Sequence, residues 1–364
     1  MVEEIRRVGI LTGGGDAPGL NAVIRGAVLT GINCYNYEMV GIREGFDGLM
    51  NHMPLVPLDR DRVRGLHMRG GTILGAANRG SPFAQKMELP DGTTEKRDRS
   101  QEAIERLREL EIDALIVAGG DGTMGISSRL RAIGAKIVGV PKTIDNDLGE
   151  TDVTFGFDTA IATATEALDK LQTTAESHHR VMVLEVMGRD AGWIALTAGV
   201  AGGADAILIP EIPFRMERVF AKIRQINEAG RRYSLVVVAE GAHPHDGEQA
   251  YYIGEAGEAA ARLGGMGNFV GAEITRVLNT EVRVTVLGHL QRGGTPTPRD
   301  RWLATRFGSA AAHMVARQEW GMMVALKGND LVSVPVERAA DVKLINPNSE
   351  RVQMARDLGI TLGD

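Results

Sequence analysis

Val8-Gly9-Ile10-Leu11-Thr12-Gly13-Gly14-Gly15-Asp16-Ala17-Pro18-Gly19 is the stretch on which the reading of this chain turns. Val8–Thr12 is a short, branched, apolar run, the pattern of a strand buried on both faces in a helix-covered parallel sheet. The glycines that follow let the backbone turn sharply and approach an anion, and Pro18 suits the first turn of a helix. A helix entered this way points its amino-terminal amides at whatever lies over the strand end, where a phosphate fits. The stretch matches neither GxxxxGK[ST] nor GxGxxG, so neither named loop applies. A tight strand-to-helix turn without a ligand is the other reading of the same residues.

Working outward, the same unit recurs. Further strands are expected at Met39–Ile42, Ala114–Ala118, Lys136–Val140, Arg180–Val186, Ala206–Ile209, Ser234–Ala239 and Val282–Leu287. Helices are expected at Ser100–Leu110, Thr159–Leu171, Met216–Ala229, Glu255–Leu263 and Arg301–Ala316, and the polar stretch Leu89–Ser100 reads as a loop. Alternation of this kind predicts a doubly wound α/β fold, whose ligands sit at the carboxyl ends of the strands. A length of 364 residues suits two domains.

Bulk composition narrows the function. A formal net charge of −6, from 41 Lys and Arg against 47 Asp and Glu, is a poor match to nucleic acid. An anionic substrate then needs a local basic site built from particular arginines. Cys34 is the only cysteine, so no internal disulfide forms and a reducing compartment is expected. No secretory leader and no bilayer-spanning run is read, and a cytoplasmic protein is expected.

Two more motifs carry chemistry. Gly119-Gly120-Asp121-Gly122-Thr123 follows a strand and precedes a helix; a carboxylate among glycines can reach a hard cation that bridges phosphates, or can simply cap the helix. Pro141-Lys142-Thr143-Ile144-Asp145-Asn146-Asp147 sets two carboxylates two residues apart at a strand end, where one can take a hydroxyl proton while the other orients. In isolation it would read as an Asx-rich turn. Arginines supply the cationic side: Arg180, Arg189 after Met187-Gly188, Arg283, and Arg292 within Gly288-His289-Leu290-Gln291-Arg292. A guanidinium offers phosphate a planar fork of donors and stays charged.

These motifs in this order resemble the phosphofructokinase family, over Val8 to about Phe307: ILTGGGDAPGLNAVIRG, RGGTILG, GGDGT, PKTIDND, EVMGRDAGW and LGHLQRGG. The resemblance implies two doubly wound, mostly parallel-sheet domains with the active site in the cleft between them. The larger, donor-binding domain would be 1–156 plus about 291–335, and the smaller, sugar-phosphate-binding domain 157–290 plus about 336–364. It implies transfer of the γ-phosphoryl of ATP, with Mg²⁺, to the 1-hydroxyl of fructose 6-phosphate. By the same resemblance Asp145 is the general base supported by Asp147, Asp121 binds Mg²⁺, and Arg189 steadies the transferred group. Thr143, Met187, Gly188, Glu240, His289 and Arg292 hold the sugar phosphate. Gly15, Arg79, Gly120, Gly122, Thr123 and Gly125 line the donor. Arg180 and Arg283 reach a neighbouring subunit's substrate, implying a homodimer or homotetramer with shared sites and no nucleic-acid or membrane partner.

The family divides by donor. Pyrophosphate users resemble GGDD, whose second carboxylate repels a nucleotide's α-phosphate; Gly122 leaves room and no charge, which favours ATP. Lys142 points the other way, since PKTIDND is usual among pyrophosphate users. A pyrophosphate-dependent fructose 6-phosphate 1-phosphotransferase is therefore the alternative, and a sugar-phosphate sensor without turnover a remote one.

Overall fold

The computed structural model describes residues 4–77, 80–88, 92–247, 251–253 and 262–364. The chain divides into two units: Met1–Ile144, Leu148–Asp158 and Arg292–Val342 form the first, and Asp145–Asp147, Thr159–Gln291 and Lys343–Asp364 the second. Residues 336–342, expected with the second domain, group with the first, while the three residues Asp145–Asp147 group with the second.

The first unit is built on a seven-stranded sheet. Its order is Asp330–Pro335, Met322–Lys327, Ile137–Pro141, Ala114–Gly119, Arg7–Thr12, Glu38–Gly41 and Val56–Pro57. The five inner strands run parallel and only the two edge strands run antiparallel. The period-2 alternation of a strand sends successive side chains to opposite faces, and the cores record it. Val8, Ile10, Ala114, Ile116, Ala118, Val138 and Val140 pack with the helices Leu20–Tyr35 and Pro298–Ala316. Leu11, Leu115, Val117 and Ile137 pack on the other face with Phe46, Leu49, Ile104, Leu107 and Leu130, which belong to three further helices.

The second unit carries a four-stranded, wholly parallel sheet in the order Val282–Val286, Val181–Val186, Ser234–Ala239, Ala206–Leu208. Val181, Val183, Val236 and Val238 face Val219, Phe220 and Ile223 of Met216–Glu228 and Val270 and Ile274 of Met266–Leu278. The far edge of this sheet is closed by the end of the chain: Thr361 bridges Ala206, and Ile207 N–H donates to the Thr361 carbonyl at 2.9 Å.

Some expectations need correction. Within Leu89–Ser100, Thr94–Arg97 is a strand paired antiparallel with Gln85–Glu88, and Ser100 opens a helix. Its four side chains are exposed, so backbone pairing holds it and no apolar alternation announces it. The helix expected at Glu255–Leu263 falls outside the described residues, apart from Arg262–Leu263, which pair as a strand with Tyr251–Ile253. No helix among the described residues is long and apolar enough to cross a membrane.

Glycine decides the closest helix contact. A Cβ on Gly26 would sit 2.6 Å from the Thr305 carbonyl oxygen, and one on Gly308 would sit 2.2 Å from the Val23 oxygen. Leu20–Tyr35 and Pro298–Ala316 therefore meet backbone to backbone. Gly308→Ala gains about 1 kcal/mol in helix propensity but forces the helices apart, at a cost of about 1–3 kcal/mol or more. The expected outcome is a lower denaturation midpoint by circular dichroism, the reverse of what propensity dictates.

Candidate active site

In the first unit the chain leaves the sheet in opposite directions on either side of one gap. Arg7–Thr12 connects to the neighbour on one side, Glu38–Gly41, while Ala114–Gly119 connects to the other, Ile137–Pro141. Such a reversal leaves a crevice beyond the carboxyl ends of the two strands, and both glycine motifs lie there. Gly13 N–H donates to the Ala118 carbonyl at 2.8 Å, tying the first loop to the second strand. Gly14, at φ 72°, donates to the Ala77 carbonyl at 3.1 Å.

Thr123, 7% exposed, fills the space between the loops. A Cβ on Gly13 would lie 2.8 Å from its side chain, and one on Gly119 only 2.3 Å from its Cβ. Those two glycines are thus required by packing. Gly122 and Gly125 differ: among the described residues, a Cβ on either would meet nothing within 4 Å. They border open space on the first turns of the helix Asp121–Ala132. The cap of that helix is Gly120, so the capping role considered for Asp121 does not hold. The Asp121 side chain is exposed and hydrogen-bonds to no other described group.

Lys142, only 4% exposed, ties the third motif to the other two. Its N–H donates to the Gly119 carbonyl at 2.9 Å, and its ammonium donates to the Gly15 carbonyl. Thr143 is partly exposed and its carbonyl accepts the Thr154 hydroxyl at 2.7 Å. Arg292 donates to the Asp16 carbonyl at 3.2 Å, which attaches it to the first glycine loop. Arg79 lies outside the described residues.

In the second unit, Asp145, Asn146 and Asp147 form a turn with Asn146 in the left-handed region at φ 53°. Met187, Gly188 and Arg189 follow Val181–Val186, and Glu240 follows Ser234–Ala239. These two strand ends are stitched together: Glu240 N–H donates to Val186 O at 2.9 Å and Gly241 N–H to Gly188 O at 3.1 Å. A Cβ on Gly241 would lie 1.8 Å from the Arg189 carbonyl, so only glycine fits. The Arg189 guanidinium is exposed, 3.8 Å from Asp190. His289 is exposed on the short turn after Val282–Val286.

Arg180 and Arg283 stand apart from this set, at the amino ends of their strands. The length of Val181–Val186, roughly 20 Å for a six-residue strand, separates them from Met187 and Gly188. Both grip one carboxylate. Arg180 Nε is 2.7 Å from Glu281 Oε2 and Arg283 pairs with Oε1. The Arg180 hydrogen bond, then the nearby charges, hold the Glu281 carboxyl below its ordinary range.

Two residues that sequence reasoning did not single out support the second unit's loops. Gln291, fully buried, accepts from Met187 N–H at 3.3 Å and donates to the Gly288 carbonyl at 3.1 Å. Glu211 accepts from Gly192 N–H at 3.1 Å and from Ile345 N–H at 2.9 Å, and burial pushes its carboxyl up. The signal for Gln291 was a neutral polar residue inside the LGHLQRGG segment; Glu211 had none.

No group of three or more His, Cys, Asp or Glu side chains among the described residues could hold a metal by itself. A magnesium ion held by one carboxylate and the phosphates of a substrate needs no such group.

Comparison with known proteins follows the same lines. The phosphofructokinase family model matches residues 7–315. An ATP-dependent 6-phosphofructokinase of Chloroflexus aggregans is 50% identical over 366 residues, covering 100% of this chain and 99% of that protein. A pyrophosphate–fructose 6-phosphate 1-phosphotransferase of Streptomyces coelicolor is 49% identical over 344 residues, covering 94% of this chain and 96% of that protein. The solved phosphofructokinase of Saccharomyces cerevisiae superposes with a TM-score of 0.78 at 31% identity, over 92% of this chain. This chain spans 44% of that yeast chain.

The glycine geometry is directly testable. Gly122→Asp is expected to melt like the parent protein, because its side chain enters open space. Gly119→Ala is expected to lose about 1–3 kcal/mol through its clash with Thr123. Thermal denaturation of the pair reads the difference.

Proposed function

The chain belongs to the phosphofructokinase family, and we propose that it transfers the γ-phosphoryl group of ATP to the 1-hydroxyl of fructose 6-phosphate, a step of glycolysis. The observation that carries the choice of donor is Gly122, which puts neither bulk nor charge beside the glycine loops.

Roles divide by unit. In the first, Gly15, Gly120, Gly122, Thr123 and Gly125 shape the donor crevice, and the amides opening Asp121–Ala132 favour phosphate there. Asp121 would hold Mg²⁺, which supplies neutralisation of phosphate charge when bound. In the second unit, Asp145 accepts the proton of the sugar hydroxyl while Asp147 orients it. The hydroxyl oxygen then bonds to the γ-phosphorus as the bond from that phosphorus to the leaving ADP oxygen breaks. Arg189 stabilises the charge spread over the moving group, a task for preorganised electrostatics. Met187, Gly188, Glu240, His289, Thr143 and Arg292 position the sugar phosphate.

Arg180 and Arg283, at the opposite strand ends, support a homo-oligomer in which they serve a neighbouring subunit's sugar phosphate. A cytoplasmic location belongs to the same reading, and the single exposed, unpaired Cys34 supports it.

Pyrophosphate as donor is favoured by one observation, the buried Lys142 ammonium on the Gly15 carbonyl, a cation close to where phosphates would lie. A coupled assay with fructose 6-phosphate and Mg²⁺ decides between the donors. Turnover with ATP and little with pyrophosphate is the expected outcome; the reverse sinks the choice. Gly122→Asp should lose ATP turnover by about 100-fold, since facing like charges cost several kcal/mol. Asp145→Asn should lower kcat by about 10²–10⁴-fold, the usual contribution of a general base.

A further inference from the structure

We propose that Lys343 is a positioning residue for the Asp145 and Asp147 carboxylates, holding the turn between them from the last stretch of the chain. The inference rests on reading those carboxylates as the pair that activates the sugar hydroxyl.

Three handles fix Lys343. Its backbone N–H donates to the Asp147 carbonyl at 2.6 Å. Its ammonium donates to Asn146 Oδ1 at 3.2 Å. Its own carbonyl accepts the Trp193 indole N–H at 2.8 Å. The ammonium also lies 5.6 Å from the centre of the Trp193 ring, and the Arg351 guanidinium sits 5.2 Å from it. Trp193 is itself buried. Two residues on, Ile345 N–H is held by Glu211, which also holds Gly192, the residue before Trp193.

The turn needs such a support. Asn146 occupies the left-handed region, a conformation that asparagine tolerates but that remains uncommon, and it is 4% exposed. A buried side-chain amide requires hydrogen-bond partners, and Lys343 supplies one to its oxygen. Backbone and side-chain bonds from one residue thus fix both the position of Asp147 and the rotation of Asn146. An error of about 1 Å in a reacting group can cost about 100-fold in rate, so slack in this turn appears in turnover before it appears in binding of the donor.

Steady-state kinetics on the full chain test this, with ATP and fructose 6-phosphate as substrates. Lys343→Met is expected to lower kcat by about tenfold or more, with the KM for ATP within about twofold and the denaturation midpoint near the parent's. Lys343→Arg, which keeps a donor and a cation over the ring, should recover most of the loss. Asn146→Gly keeps the left-handed turn but removes the amide, so it should lose a similar factor, and adding Lys343→Met to it should cost little more. Parental kcat in Lys343→Met or in Asn146→Gly, while Asp145→Asn is inactive, overturns the positioning role alone, as do losses that multiply in the double variant. Full turnover by Asp145→Asn overturns the functional reading and this inference with it.

Discussion

The crevice beyond the strand ends of the first unit depends on two missing Cβ atoms. Thr123 occupies the volume that side chains on Gly13 and Gly119 would need, and the two strand ends can be joined by the Gly13–Ala118 hydrogen bond because neither residue resists. Lys142 then spans both loops from the third strand end, reaching the Gly119 and Gly15 carbonyls. The ends of three neighbouring strands are thereby one construction. Its outer glycines, Gly122 and Gly125, are of a different kind, since a Cβ on either would meet no described atom within 4 Å.

The second unit solves a similar problem with side chains. Gln291 links the turns after two adjacent strands, Glu211 holds the chain before Trp193, and Gly241 passes under Arg189 where no Cβ fits. The exposed head of Arg189 thus projects from a rigidly held backbone. For the role proposed for Arg189, meeting charge on a substrate, a backbone held in advance lowers the entropy lost on binding.

The central strands of both sheets were legible because each is apolar on two faces, whereas Val56–Pro57, Met322–Lys327 and Asp330–Pro335, at the two margins of the larger sheet, were not read from the sequence. The glycine motifs were legible because their place after those strands fixes what a turn must do. Thr94–Arg97 escaped because four exposed polar side chains leave only backbone pairing to define it. The state of Asp121 escaped because capping and first-turn positions differ by one residue, below the resolution of pattern reading. Lys343 and Glu211 escaped for another reason: their partners lie 197 and 134 residues away, and no local pattern encodes such pairs.

The close contact of Leu20–Tyr35 with Pro298–Ala316 has a further consequence for how the molecule is made. The helix that begins right after the first glycine loop cannot find its packing partner until nearly the whole chain has left the ribosome. All four strands of the smaller sheet, by contrast, are available once Val286 has been synthesised. The interior of the sequence can therefore condense while its amino-terminal third waits, with an apolar helix face temporarily unprotected. Contacts of such long sequence separation slow folding and expose intermediates to association, so the order of synthesis favours pairing of the four smaller-sheet strands before Leu20–Tyr35 is covered, while Thr361 closes the edge of that sheet only at the end.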